Sequence, residues 1–287
     1  MNNKTILITG GTGGIGKETA IQLAKLGANI IVTGRDRKRG EAAVEEIRRA
    51  SQNQKVSLLL ADLSSKAGIR QLSKDFLAQH SKLDVLINNA GLLEGKRRET
   101  VDGIEAHFAV NVLAPYLLTL ELLPALKLIP NSRVLNLTGG MPGSHLKVDD
   151  VFAEESFVGL MTYTSAKHAM ETMSVEMATR LEKFGIGVFV VFPGTAATSM
   201  TGAMTAEFLP MPLKLAAPIF KLMMRPDGGQ SAAKAARSSI YAASSSDLAG
   251  KTGLYIDTNS RIKAVVAANR DPKNRKIVWD VLEKLSI

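Results

Sequence analysis

Cysteine is absent from all 287 residues. A disulfide scaffold, a cysteine-ligated zinc or iron–sulfur site and a thiol nucleophile are therefore excluded. Such a composition suits a reducing compartment. Aromatic residues are scarce, at 5%, so stacking platforms for single-stranded nucleic acid are lacking. Histidine occurs only at His80, His107, His145 and His168, with none of the short spacings that metal ligands use, and no metal site is expected. No stretch reaches the ~18 uninterrupted apolar residues of a membrane span. The apolar run Thr5-Ile-Leu-Ile-Thr9 after Met1 is too short for a signal-peptide core. The expectation is a cytoplasmic chain.

Hydrophobic residues make up 45% of the chain and charged residues 22%, values typical of a globular domain. The net charge is +9, from 36 Lys and Arg against 27 Asp and Glu. A basic surface suits nucleic acid, anionic lipid or a phosphorylated cofactor. Here the charges are scattered, and nucleic acid is not expected as a partner.

Short apolar runs alternate with longer helical stretches. Strands are predicted at 5–9, 29–33, 56–61, 85–88, 133–138 and 187–192, with a short seventh at 253–257. Helices are predicted at 14–26, 39–50, 66–79 and 162–184, and a long one should end near 128. Strands that read as continuous Ile, Val and Leu are buried on both faces. Alternation with helices then implies a parallel sheet covered on both sides. The fold class is α/β, a doubly wound Rossmann fold: one domain over 1–287 with about seven parallel strands. Residues 198–228 form an insertion over the sheet edge, expected to be a substrate lid.

Thr9-Gly-Gly-Thr-Gly-Gly-Ile-Gly16 lies between the first strand and the first helix. Without Cβ atoms, Gly10, Gly14 and Gly16 allow a tight turn and close approach of a pyrophosphate. The helix N-terminus adds free N–H groups and a positive dipole end. A plain turn would use glycines too, but strand, glycines and helix in a βαβ unit meet the context of a dinucleotide site. The second strand ends in Thr33-Gly-Arg-Asp36. A carboxylate there would take the ribose 2′-hydroxyl of NAD, whereas an Arg pairs with the 2′-phosphate of NADP. Gly34 stands at the usual acidic position with Arg35 beside it, which favours NADP(H) over NAD(H). Asp36 leaves the other choice open. Asp62-Leu63 ends the third strand, where Asp62 is also a candidate helix cap. Asn88-Asn-Ala-Gly91 ends the fourth, at the switch point of an open sheet.

In Tyr163-Thr-Ser-Ala-Lys167 the Tyr and Lys project from one helix face. A phenol of pKa ~10 is a poor acid or base at neutral pH. A nearby ammonium favours the phenolate and lowers that value. The pair then forms a general acid/base able to protonate a carbonyl oxygen as hydride arrives.

The Gly-x-x-x-Gly-x-Gly spacing, followed by the Asn-Asn-Ala-Gly, Tyr-x-x-x-Lys and Pro193-Gly194 motifs, resembles the short-chain dehydrogenase/reductase family over nearly the whole chain. Gly14-Ile-Gly-Lys-Glu-Thr-Ala20 and the long segment before the tyrosine look most like its retinol-dehydrogenase-like branch. The resemblance implies that Gly10, Thr12, Gly14, Ile15 and Gly16 cradle the cofactor and that Asp62 and Leu63 lie against adenine. It implies cofactor contacts from Asn89, Ala90, Gly91, Pro193, Gly194, Thr195 and Thr198. Tyr163 would carry the proton, Lys167 would also hold the nicotinamide ribose, and Asn111 would help wire a water relay.

One feature of the family pattern is missing. The serine expected after the fifth strand falls on Gly139 when Arg133-Val-Leu-Asn-Leu137 is aligned without gaps. Thr138 is the expected replacement hydroxyl, with Ser144 further along the loop. Alternation along the strand argues against Thr138, since one residue's shift reverses a side chain. The resemblance implies an oxidoreductase interconverting carbonyl and alcohol on a small lipophilic substrate: a retinoid, a steroid, or an aldehyde or ketone. The alternative is a cofactor-binding sensor or scaffold with little turnover. Five of the eleven methionines lie in 200–224, where flexible thioethers suit an adaptable apolar pocket. A peripheral membrane contact and a homo-oligomer remain open as partners.

Overall fold

The computed structural model describes residues 1–139, 144–194, 208 and 231–287. Among them, eight strands form one sheet in the order β3-β2-β1-β4-β5-β6-β7-β8. They are β1 Thr5–Ile8, β2 Asn29–Gly34, β3 Val56–Leu60, β4 Val85–Asn88, β5 Arg133–Leu137, β6 Gly187–Val191, β7 Leu254–Ile256 and β8 Ile262–Ala264. Seven run parallel, and β8 is antiparallel to β7. The eighth strand escapes a sequence reading because its three side chains are all exposed and carry no alternation.

The continuous apolar strands do serve two cores. In β1, Ile6 and Ile8 join one buried cluster and Leu7 the other, as the period of two requires. Ile30 and Val32 against Ile31 in β2 repeat the pattern. One face of the sheet is covered by helices α1, Gly14–Lys25, and α2, Arg37–Ser51. The other is covered by α3, Lys66–Gln79, α4, Ala114–Glu121, and α5, Gly159–Leu181. Helix α6, Ala232–Ser244, packs on the α1 face, and α7, Pro272–Ser286, on the α5 face. Trp279 of α7 meets Tyr116 of α4 edge-on at 5.1 Å, which ties the C-terminal helix to the second core.

The long helix expected before residue 128 is broken. It runs as a turn at Ala106–Phe108, a π-turn at Ala109–Leu113, α4, and a short helix at Leu123–Lys127. Pro115 and Pro124 stand at the starts of the last two, where a missing N–H is tolerated. Strand order reverses between β1 and β4. The loops after these two strands therefore diverge and leave a crevice at their carboxyl ends.

The predicted lid at 198–228 lies outside the described residues except for Phe208. So do Thr195 and Thr198.

Candidate active site

The glycine turn after β1 is shaped by close backbone approach. Gly10 and Gly14 have φ of +64° and +52°, the left-handed region that favours glycine. A Cβ on Gly10 would come within 3.0 Å of the Ala90 Cα, and one on Gly16 within 2.4 Å of the Asn89 side chain. A Cβ on Gly13 would meet nothing within 4 Å. Gly13 begins α1 with no side-chain cap on the first N–H groups. An uncapped helix start facing open space suits a pyrophosphate.

Asn89 braces this turn. Its Nδ2 donates to the carbonyls of Thr9 (2.8 Å) and Gly10 (3.2 Å). The Thr9 hydroxyl in return accepts from the backbone N–H groups of Asn89 and Ala90, both at 3.0 Å. The ends of β1 and β4 are thus sewn together beside the crevice. Next to them Asn88 donates to Asn136, which donates to Ser174, each at 2.8 Å. This buried chain fixes β4, β5 and α5 in register.

At the end of β2 the choice of side chain is settled locally. The Asp36 carboxylate caps α2, accepting from the Arg39 N–H at 2.7 Å. This also explains why α2 starts at Arg37, two residues before the expected start. A Cβ on Gly34 would sit 2.8 Å from the Thr12 methyl, so Thr12 covers the position where a carboxylate would stand. Arg35 remains exposed. Asp62 does not cap α3; Ser65 does, accepting from the Gly68 N–H at 3.0 Å. The Asp62 carboxylate instead accepts from the Ser64 N–H and hydroxyl. Burial opposes its ionisation, but the Ser64 hydrogen bonds and the fields of Arg35 and Arg98 outweigh this and hold it below its ordinary value. Leu63 packs against the core.

Asn111 sits on the π-turn, a feature frequent at functional sites. Its side-chain amide is paired with the backbone of Leu92, accepting at 3.1 Å and donating at 2.9 Å. Pro115 lacks the N–H that an α-helix would direct to the Asn111 carbonyl.

Tyr163 and Lys167 lie one turn apart on α5, against the end of β5. Lys167 is 4% exposed, and its Nζ donates to the Leu137 carbonyl at 2.9 Å. It stands 5.7 Å from the Tyr163 ring centre. Burial pushes the Lys167 ammonium down to about 8, against the pull of Glu171. Burial pushes the Tyr163 phenol up to about 12. The expected lowering of the phenol by its lysine is therefore corrected: with the ammonium engaged by Leu137, desolvation wins. The ring of His107 meets Tyr163 edge-on at 6.4 Å. His107 is itself locked, its Nδ1 on Glu105 at 2.8 Å and its Nε2 accepting from the Glu94 N–H at 3.0 Å.

Gly139 faces the phenol. A Cβ built there would lie 2.5 Å from the Tyr163 hydroxyl. Thr138 points elsewhere, its hydroxyl 2.5 Å from the Glu171 carboxylate. The expectation that Thr138 supplies the substrate hydrogen bond is corrected: strand alternation turns it away from Tyr163. Ser144 contacts His168 Nε2 at 2.9 Å. His168 is buried between Ser144 and Asn269. The sequence reading missed Glu171 and Asn269. Glu171 carried a signal, a carboxylate one turn from Lys167 on a largely buried helix. Asn269 is almost a hundred positions further along and carried none. Gly194 closes the site side of β6 in the left-handed region, at φ +83°, with Pro193 before it.

A glycine-lined helix start at the switch point, beside half-buried Tyr163 and buried Lys167, defines a dinucleotide-dependent oxidoreductase of the Rossmann class. Residues 4–208 match the family model described as short chain dehydrogenase. Mouse retinol dehydrogenase 12 is 34% identical over 282 residues, covering 97% of this chain and 84% of that protein. Human retinol dehydrogenase 13 is 34% identical, covering 96% and 82%. Among solved structures, Pseudomonas aeruginosa RhlG in an active-site complex with NADP aligns with a TM-score of 0.67 and 28% identity, covering 90% of this chain and 95% of that one. The chain belongs to the short-chain dehydrogenase/reductase family. It is an oxidoreductase, and its likeness within the family is to the retinol dehydrogenases.

Proposed function

We propose that the protein is an NADP(H)-dependent oxidoreductase interconverting a carbonyl and an alcohol on a small lipophilic substrate. The observation that carries this reading is the pairing of half-buried Tyr163 with buried Lys167 beside the sewn β1–β4 crevice. The crevice fits a dinucleotide: Gly10, Gly14 and Gly16 leave no side chain in it, Gly13 opens to space, and α1 begins uncapped. Thr12 and Ile15 belong to the same turn. Asn89, Ala90 and Gly91 would line the far wall, with Asp62 and Leu63 toward the adenine end. Pro193, Gly194, Thr195 and Thr198 would flank the other end.

When bound, the nicotinamide supplies or accepts a hydride. Tyr163 passes a proton to the carbonyl oxygen in reduction and takes it back in oxidation. Lys167, drawn from the Leu137 carbonyl toward the phenol, would lower its proton affinity and hold the ribose. Asn111 would keep the relay beside Leu92 in place. The preference for NADP(H) is supported by the fate of three neighbours: Gly34 is covered by Thr12, Asp36 is spent as a helix cap, and Arg35 is exposed. A retinoid substrate is supported by the names of the relatives, and the wider lipophilic class of steroid, aldehyde or ketone by the methionine-rich composition of 198–228, which we assign as the lid.

A second reading is favoured by one observation. Gly139 offers no hydroxyl to the substrate oxygen, so the protein could instead bind NADP(H) as a sensor with little turnover. NADPH consumption across a panel of lipophilic carbonyl compounds separates the two. Consumption with any of them supports the enzyme reading. Tight NADPH binding with no consumption across the panel supports the sensor.

A further inference from the structure

Below Lys167 the structure holds a buried polar chain. Glu171, one turn along α5, is 4% exposed. The Thr138 hydroxyl meets its Oε1 at 2.5 Å, and the Asn269 amide donates to its Oε2 at 2.7 Å. The same Asn269 nitrogen is 3.0 Å from His168 Nδ1. An amide NH2 only donates, so His168 Nδ1 accepts and its Nε2–H points to Ser144. Asn269 is 1% exposed and belongs to the short helix Ala267–Arg270 in the C-terminal segment. That segment thus reaches beneath the Tyr–Lys helix.

Two observations bear on what this chain does. Each carboxylate oxygen of Glu171 has its own donor, from β5 on one side and from the C-terminal segment on the other. This pattern suits the ionised form. A lysine buried to the same degree lies one helical turn away, a spacing that makes the two side chains neighbours. A buried ammonium is costly unless an anion compensates it.

We propose that Glu171, held by Thr138 and Asn269, is a positioning residue whose buried negative charge keeps Lys167 protonated. It thereby sets the pH above which the Tyr–Lys pair stops working. Its role in turnover rests on the oxidoreductase reading; its effect on Lys167 does not. Among the described residues, the other titratable groups facing the pair are Tyr163 and His168 on α5 and Tyr255 on β7, with His145 beside His168 and Asp257 beside Tyr255. Tyr255 is pushed upward by burial and by the Glu171 charge, so it stays neutral and does not compete as a counter-ion. Burial holds the Glu171 carboxyl above its ordinary value, and Thr138, Asn269 and Lys167 draw it part of the way back toward the ionised form.

The test is a pH titration of the full chain labelled with ¹³C-lysine, followed by NMR with and without NADPH. The Lys167 signal is identified by its loss in Lys167→Met. In Glu171→Gln the Lys167 midpoint should fall by about one pH unit, as removal of an opposite charge one helical turn away predicts. Asn269→Ala, which strips one donor from the carboxylate, should move it the same way by less. If Glu171→Gln does not fold, Asn269→Ala and Thr138→Val carry the test. An unmoved midpoint in the folded variants overturns the proposal. Failure to bind NADPH would count against the cofactor reading alone, because the midpoints of the cofactor-free protein still decide this one.

Discussion

Gly139→Ala is the sharpest perturbation of the site. The added Cβ would stand 2.5 Å from the Tyr163 hydroxyl and 3.4 Å from the ring carbon that bears it. The ring carbon is at ordinary contact, so the hydroxyl alone is displaced. It must retreat by about 0.9 Å to reach the 3.4 Å of a normal contact. Gly139 is not among the positive-φ glycines, so the backbone accepts alanine and the strain falls on the phenol. An off-rotamer ring costs of order 0.5–1.5 kcal/mol, too little to unfold the chain. Misplacing a reacting group by about 1 Å typically costs ~10²-fold in rate, near 2.7 kcal/mol of barrier. We therefore expect kcat for NADPH oxidation with a carbonyl substrate to fall about a hundredfold, with NADPH affinity by fluorescence unchanged. Gly139→Ser should lose less, because its hydroxyl can hydrogen-bond the displaced phenol and the substrate oxygen. Full activity in Gly139→Ala would refute the reasoning, since the resting position of Tyr163 would then not be the working one.

Four further outcomes follow from named contacts. Arg35→Ala should weaken NADPH binding by about 1.5–3 kcal/mol, the worth of one charged hydrogen bond, and leave NADH binding alone; Asp36→Ala should cost ~1 kcal/mol of stability as a lost cap without changing cofactor choice. Equal NADPH and NADH affinities in the wild type would contradict this. Lys167 is charged below about 8 and neutral above it, so kcat/KM and cofactor affinity should hold at lower pH and decline as pH rises through about 8; a profile flat to pH 10 would count against a charged lysine in the site. Asn89→Ala removes the two bonds that clasp the glycine turn and should cost ~1–3 kcal/mol in a denaturant melt together with weaker cofactor binding; a neutral result would mean the turn holds itself.

Much of the architecture was legible because it is written in local pattern. Ile6, Leu7 and Ile8 announce a strand buried on both faces, and the structure gives each face its own core. The glycine turn was legible from its place between strand and helix, and the Tyr–Lys pair from helical spacing. What escaped depends on direction or distance. Whether Asp36 turns to a ribose or to its own helix is decided by the Arg39 N–H, a contest that composition does not show. The two orientations of Thr138 and Gly139 differ by one step of strand alternation. Asn269 meets Glu171 across 98 positions, and nothing local to either residue signals the other. The break in the long helix, by contrast, was written in Pro115 and Pro124.

The central claim is that Tyr163 and its surroundings drive hydride exchange between NADPH and a lipophilic carbonyl. It is tested most directly by supplying NADPH deuterated at both C4 positions with a panel of aldehydes and ketones that includes retinal, and weighing the alcohol formed by mass spectrometry. Wild-type protein should yield alcohol with one deuterium on the carbinol carbon. Tyr163→Phe, with cofactor affinity preserved, should yield it ~10²–10⁴ times more slowly, the usual contribution of a general acid. Deuterated alcohol formed equally fast by Tyr163→Phe, or none from the wild type while NADPH is bound, would contradict the account.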